Sequence, residues 1–161
     1  MANLNQLMNV QRNVMKWRIH FLNRFWGMSI DPTARISMSA KLDKTNPRGV
    51  HIGERSYVAF GATILCHDMT RGMYQDTYIG RYCFIGARSL IMPGVTIGDE
   101  SIIAAGAVVT RDVPSRSIVA GNPATIIREN IEVGPYGRFL SAGMSRADRA
   151  AYEAAREKTE S

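Results

Sequence analysis

Ile79–Pro114 reads IGRYCF, IGARSL, IMPGVT, IGDESI, IAAGAV, VTRDVP, six consecutive hexapeptides in one register. Each opens on Ile or Val: Ile79, Ile85, Ile91, Ile97, Ile103 and Val109. The second residue is Gly at Gly80, Gly86 and Gly98, and the fifth is small or β-branched, from Cys83 and Ser89 to Ala107 and Val113. A period of six fits neither an amphipathic helix nor an alternating strand. Self-similarity at a fixed hexapeptide period is the signature of a parallel β-helix, a solenoid in which each turn covers the apolar interior of the next.

The register extends upstream. IDPTAR, ISMSAK and LDKTNP open on Ile30, Ile36 and Leu42; after a four-residue break, RGVH, come IGERSY, VAFGAT and ILCHDM on Ile52, Val58 and Ile64. That makes twelve hexads in two groups of six. The apolar first residue is expected to fill the core with the small fifth residue beside it, while glycines and polar residues serve turns that need positive φ. Between the groups lie nine extra residues, TRGMYQDTY. A solenoid that keeps register extrudes such an insertion as a loop, often on its binding face. His67 sits at its base.

Flanking segments complete the organisation. Residues 3–26 place Leu4, Leu7, Met8, Val14, Met15, Phe21, Leu22, Phe25 and Trp26 at helical spacing, and Gly27 ends the helix. Its second half, KWRIHFLNRFW, mixes basic and aromatic residues and supports two readings. One is a cap over the open end of the solenoid; the other is peripheral contact of residues 1–26 with an anionic membrane. At the other end IEVGPYGRFLSAGM reads as irregular, and SRADRAAYEAAREKTE as a polar helix with Ser145 as N-cap. The expected division is an N-terminal cap over 1–27, the repeat domain over 28–128 and an extension over 129–161.

The chain's 161 residues suit one domain, with 45% hydrophobic and 21% charged residues. No run of eighteen apolar residues is present, and MANLNQLMNVQRNVMKW lacks a signal-peptide core, so the expected location is the cytoplasm. The net charge of +6 favours an anionic partner: nucleic acid, a membrane surface or a phosphorylated cofactor. No nucleic-acid motif appears, and the basic residues are dispersed. Cys66 and Cys83 have no metal-ligand spacing, and His20, His51 and His67 supply little for a metal site, so none is expected.

The repeats, the His-Asp step in ILCHDMT before the insertion, the run IIAAGAVVTRDVP and the closing AGNPATIIRE together resemble the hexapeptide-repeat acyltransferases. The likeness covers roughly residues 28–130 and is strongest to the maltose, galactoside and colanic-acid types of sugar and polysaccharide O-acetyltransferase. It implies a left-handed parallel β-helix, acetyl-CoA as co-substrate, and a homotrimer with sites where two subunits meet; with the N-terminal and C-terminal helices read above, which lie outside the likeness, the expected fold class is all-β with two flanking helices. A γ-class carbonic anhydrase shares that fold but needs three suitably placed histidines, which this chain lacks.

By this resemblance His67 is the general base that takes the proton of an acceptor hydroxyl as it attacks the thioester. Its orienting partner stays open among Asp68, Asp76, Asp43 and a backbone carbonyl. The backbone N–H of Ala87 matches the oxyanion donor and lies beside the cofactor. Ala105 matches the residue against which the pantetheine arm packs; Thr110, Arg111 and Arg128 match cofactor contacts, the arginines suiting phosphate. Thr125 stands where the family often has a second base, leaving Arg116 as a substitute. Asp43, Asp68 and Tyr74 are the expected acceptor contacts. Cys66 is read as packing, because neighbours on an extended strand face opposite sides, and no acyl-enzyme is expected. Acceptors other than sugars, such as an antibiotic or an amino acid, and a non-catalytic scaffold at a membrane surface, are the alternatives.

Overall fold

The computed structural model describes residues 4–143 together with Ala147, Ala150, Glu153 and Ala154. The helix expected from Ser145 falls outside the described residues except at those isolated positions.

Each hexad contributes a strand of two to four residues, and three hexads complete one coil. The first face is a parallel sheet of Ser29–Ile30, Val50–Ile52, Thr77–Ile79 and Thr96–Ile97. The second stacks Arg35–Ile36, Tyr57–Val58, Phe84–Ile85, Ile102–Ile103 and Ile118–Gly121, closed by the antiparallel strand Ala124–Arg128. The third holds Lys41–Leu42, Thr63–Ile64, Leu90–Ile91 and Val108–Val109. Adjacent coils therefore sit one strand spacing apart, about 4.8 Å. The hexad-opening residues Ile36, Ile64, Ile85, Ile91, Ile97, Ile103, Val58 and Val109 are among the largest fully buried side chains.

Fifth-position residues are buried beside them, including the hydroxyls, except the half-buried Asn46 and Asp68. Ser56 Oγ donates to Gly80 O at 2.7 Å and accepts from Cys83 N at 2.9 Å. Ser101 Oγ donates to Pro114 O at 2.9 Å. A small hydroxyl at this position thus ties one coil to the next, and among the described residues no buried side-chain N or O lacks a partner.

The turns divide their work in a way the sequence reading merged. Positive φ falls on the fourth residue of the hexad, at Arg55, Tyr82, Arg88 and Glu100 as well as at Gly106. The second-position glycine has a different job. A Cβ at Gly86 would lie 2.5 Å from Ile103 O and 2.6 Å from Ala105 N, inside the backbone of the next coil. Gly86 is required by close approach, not by φ.

Helix α1 (Leu4–Trp26) lies across the first coil. Ile19 and Leu22 are buried against it. Asn23 pairs with both backbone groups of Ile30, at 2.7 and 3.0 Å, and Arg18 donates to the carbonyls of Ile36, Ser37 and Ala40. The helix satisfies the edge of the terminal coil, as a cap must. Gly27 at φ 71 ends it, with Met28 N donating to Leu22 O.

The segment after Arg128 does more than the sequence showed. It turns back along the corner between the first and second faces. Ile131 and Arg116 exchange hydrogen bonds at 3.0 and 3.1 Å, Tyr136 N donates to Arg55 O at 2.7 Å, and the Arg35 guanidinium lies 4.0 Å from the Tyr136 ring centroid. With Ile131 and Val133 buried, this strap ties the last coil to the first. It leaves open the two corners that border the third face.

Candidate active site

The corner between the third and first faces carries the insertion. It forms a small hairpin, with His67–Asp68 antiparallel to Met73–Tyr74. Asp68 closes its turn by accepting from Thr70 N, Thr70 Oγ1 and Arg71 N at 2.9, 2.6 and 3.3 Å. Those bonds, led by the Thr70 hydroxyl, hold its carboxyl below the usual range. Asp68 builds the loop and does not orient His67.

Asp43 is the partner of His67. Leu42 pairs with Ile64 in register, which sets Asp43 over the residues that lead to His67. His67 Nδ1 lies 2.5 Å from Asp43 Oδ2. The carboxylate also accepts from Cys66 N at 2.7 Å, Thr45 N at 2.8 Å and Asn46 N at 3.1 Å. Burial pushes its pKa upward, but these N–H donors and the imidazole outweigh that and leave it below the ordinary value. An ionised carboxylate only accepts, so Nδ1 donates to it and Nε2 is the nitrogen turned away from the carboxylate. The His67 side chain is 21% exposed and that of Asp43 only 1%. Asp43, expected among the acceptor contacts, is therefore corrected to a place behind the histidine: its oxygens are taken and it faces no solvent.

The backbone beneath His67 is pinned from two sides. Asn46 Nδ2 and Gln75 N both donate to Cys66 O, at 2.9 and 3.0 Å, and Thr77 Oγ1 donates to Leu65 O at 2.6 Å. Asp76 serves elsewhere, accepting from His51 Nε2 at 3.0 Å, with the His51 ring stacked on Tyr78 at 4.3 Å. Tyr74 is exposed, its ring centroid 6.5 Å from that of His67.

Burial raises the Cys66 thiol to about 11 and Cys83 to about 12. Both are buried and free. Native protein titrated with dithiobis(nitrobenzoate) is expected to show no fast thiol and both thiols after unfolding. One fast thiol per chain would contradict this placement.

The remaining site residues occupy three other positions. Ala87 and Ala105 sit one above the other on the corner between the second and third faces, with Gly106 N donating to Ala87 O at 2.8 Å. No described residue accepts from the Ala87 N–H. Thr110 and Arg111 are exposed two coils below His67, on its own corner. Arg128 is exposed opposite Ile118, at the far end of the closing hairpin. One solenoid therefore brings His67, Thr110 and Arg111 to one corner and Ala87 with Ala105 to another, and places Arg128 beside neither. Arg116, the suggested substitute base, is engaged with Ile131 O and Glu132 in the strap. Among the described residues no group of three His, Cys, Asp or Glu side chains can hold a metal.

Residues 76–111 match the family model described as bacterial transferase hexapeptide (six repeats). The chain is 37% identical over 119 residues to serine acetyltransferase 2 of Arabidopsis thaliana, covering 71% of this chain and 36% of that protein. It is 51% identical over 51 residues to the galactoside O-acetyltransferase of Escherichia coli K12, covering 32% and 25%. The chain thus spans well under two thirds of the length of these curated relatives. A solved galactoside acetyltransferase in complex with coenzyme A superposes with a TM-score of 0.53 at 23% identity, covering 74% of this chain and 79% of that one. The shared fold is the left-handed parallel β-helix, mostly β, here with one N-terminal helix in the described residues.

Proposed function

We propose that this chain is an O-acetyltransferase that moves acetyl from acetyl-CoA to a hydroxyl of a sugar or polysaccharide precursor. The observation that carries the reading is the His67–Asp43 pair, which leaves Nε2 free at the base of the hairpin. The acceptor oxygen attacks the thioester carbonyl while His67 Nε2 takes its proton. The C–O bond forms, and the tetrahedral oxyanion accepts from the Ala87 N–H. The C–S bond then breaks, and the thiolate receives the proton held by His67. Atoms and charge balance without an acyl-enzyme, and the buried Cys66 thiol takes no part.

The two-corner arrangement supports a homotrimer. In it the His67 corner of one subunit faces the Ala87–Ala105 corner of its neighbour, and acetyl-CoA lies between them. Arg111, on the His67 corner, supplies fixed positive charge to its phosphates, and the far end of the long cofactor runs past the last coil to the exposed Arg128 of the closing hairpin. Tyr74, exposed beside His67, contacts the acceptor, and Asp68 serves it by shaping the hairpin. The reaction belongs in the cytoplasm. Combined Arg111→Ala and Arg128→Ala is expected to raise KM for acetyl-CoA about tenfold with kcat within about threefold. Unchanged KM in steady-state thiol-release assays would remove these residues from the cofactor site.

A second reading, an amino-acid acceptor, is favoured by the longer match to the serine acetyltransferase than to the galactoside enzyme. Incubating the chain with acetyl-CoA and either L-serine or a panel of free, nucleotide-linked and oligomeric sugars separates the two. Coenzyme A thiol released with a sugar ester supports the proposal. Release with O-acetylserine alone supports the second reading.

A further inference from the structure

Helix α1 has two apolar faces, and capping the solenoid uses only one of them. Ile19 and Leu22 are buried on the first coil. On a different side Val14, Trp17, Phe21 and Phe25 are 47%, 74%, 52% and 70% exposed. At 100° per residue these four fall within an arc of about 80°. Phe21 and Phe25 stack on each other at 5.0 Å, so the stripe is a continuous aromatic surface. Lys16, His20 and Arg24 lie exposed along one flank of it.

The charge on this helix is of one sign. LNQLMNVQRNVMKWRIHFLNRFW holds Arg12, Lys16, Arg18 and Arg24 and no Asp or Glu. A second copy of the same face would bring like charges together, whereas an anionic lipid surface complements both the stripe and its flank. Trp and Phe with Lys and Arg alongside are the residue types that settle at the boundary between headgroups and acyl chains. No described helix is long and apolar enough to cross a membrane, so the fit is to its surface.

We propose that α1 docks this chain on an anionic bilayer surface through Val14, Trp17, Phe21 and Phe25. The cap and the anchor are then two faces of one element. The docking also orients the molecule: Asp43 belongs to the first coil, directly under α1, and His67 to the second. The His67 corner therefore sits within about 10 Å of the capped end, at two strand spacings, where a lipid-linked acceptor would present its polar head.

The test is flotation of the full chain with vesicles of phosphatidylglycerol and phosphatidylcholine, or of phosphatidylcholine alone. Wild type is expected to float with the anionic vesicles, to do so at least tenfold less with the neutral ones, and to be released by high salt. The triple variant Trp17→Glu, Phe21→Glu, Phe25→Glu is expected to lose at least tenfold in partitioning with its circular dichroism and sedimentation unchanged. Wild type that stays at the bottom, or a variant that floats equally well, overturns the proposal. So does a variant whose oligomer dissociates, because the stripe would then be covered by a second copy. These readouts require no turnover, so they stand or fall separately from the acetyltransferase reading.

Discussion

His67→Ala is expected to lower kcat by about 10² to 10⁴, the range for loss of a positioned general base, while KM for acetyl-CoA stays within about threefold. The asymmetry follows from what His67 touches. In the proposed mechanism its imidazole addresses the acceptor proton and no coenzyme phosphate, so its removal is expected to raise the barrier without loosening the cofactor. The fold should survive, because the side chain is 21% exposed and lies in an extruded hairpin, outside the stacked interior. Steady-state thiol release at varied acetyl-CoA, with sedimentation of the same sample, checks both halves. Equal kcat in the variant would remove His67 from the chemistry.

Asp43→Asn is expected to show the second large effect, a loss of about 10² or more in kcat together with reduced stability. An amide in place of the carboxylate presents N–H groups where Nδ1–H and Cys66 N now donate. Either the imidazole changes tautomer, spending the Nε2 lone pair, or a buried donor is left unpaired. The second outcome costs about 1–3 kcal/mol. The pH dependence has a definite sign. Asp43 is held below its ordinary pKa, so its contribution to stability is present above the unfolded value of about 3.9. It is lost as pH falls through the lower folded value. Melting of wild type and Asp43→Asn should therefore differ most near neutrality and converge under strong acid. A gap that widens on acidification would contradict this assignment.

Much of this was legible in the sequence because a solenoid repeats one local rule. Every sixth residue from Ile79 to Val109 had to be apolar to fill a prism whose coils are three hexads long, and the structure buries each of them. His67 stood out because the rule breaks beside it. The identity of its partner was harder. Asp43, Asp68 and Asp76 look alike in the sequence, and only the register Leu42 to Ile64 selects the first. That register was available in principle: counting past the four-residue break sets LDKTNP over ILCHDM. The glycines misled for a physical reason. Gly86 and Gly106 serve close approach and positive φ respectively, and composition does not separate the two. The strap was not legible at all, because Ile131, Val133 and Tyr136 follow no period and their partners Arg116, Arg55 and Arg35 are distant in the chain.

The most direct test of the His67–Asp43 pair is a double-mutant cycle on kcat/KM for ester formation, using wild type, His67→Ala, Asp43→Asn and the double variant. If Asp43 acts only through the imidazole, the double variant should match His67→Ala within about threefold. Losses that multiply would show that Asp43 acts independently of His67, and the dyad would not be the working unit of the site.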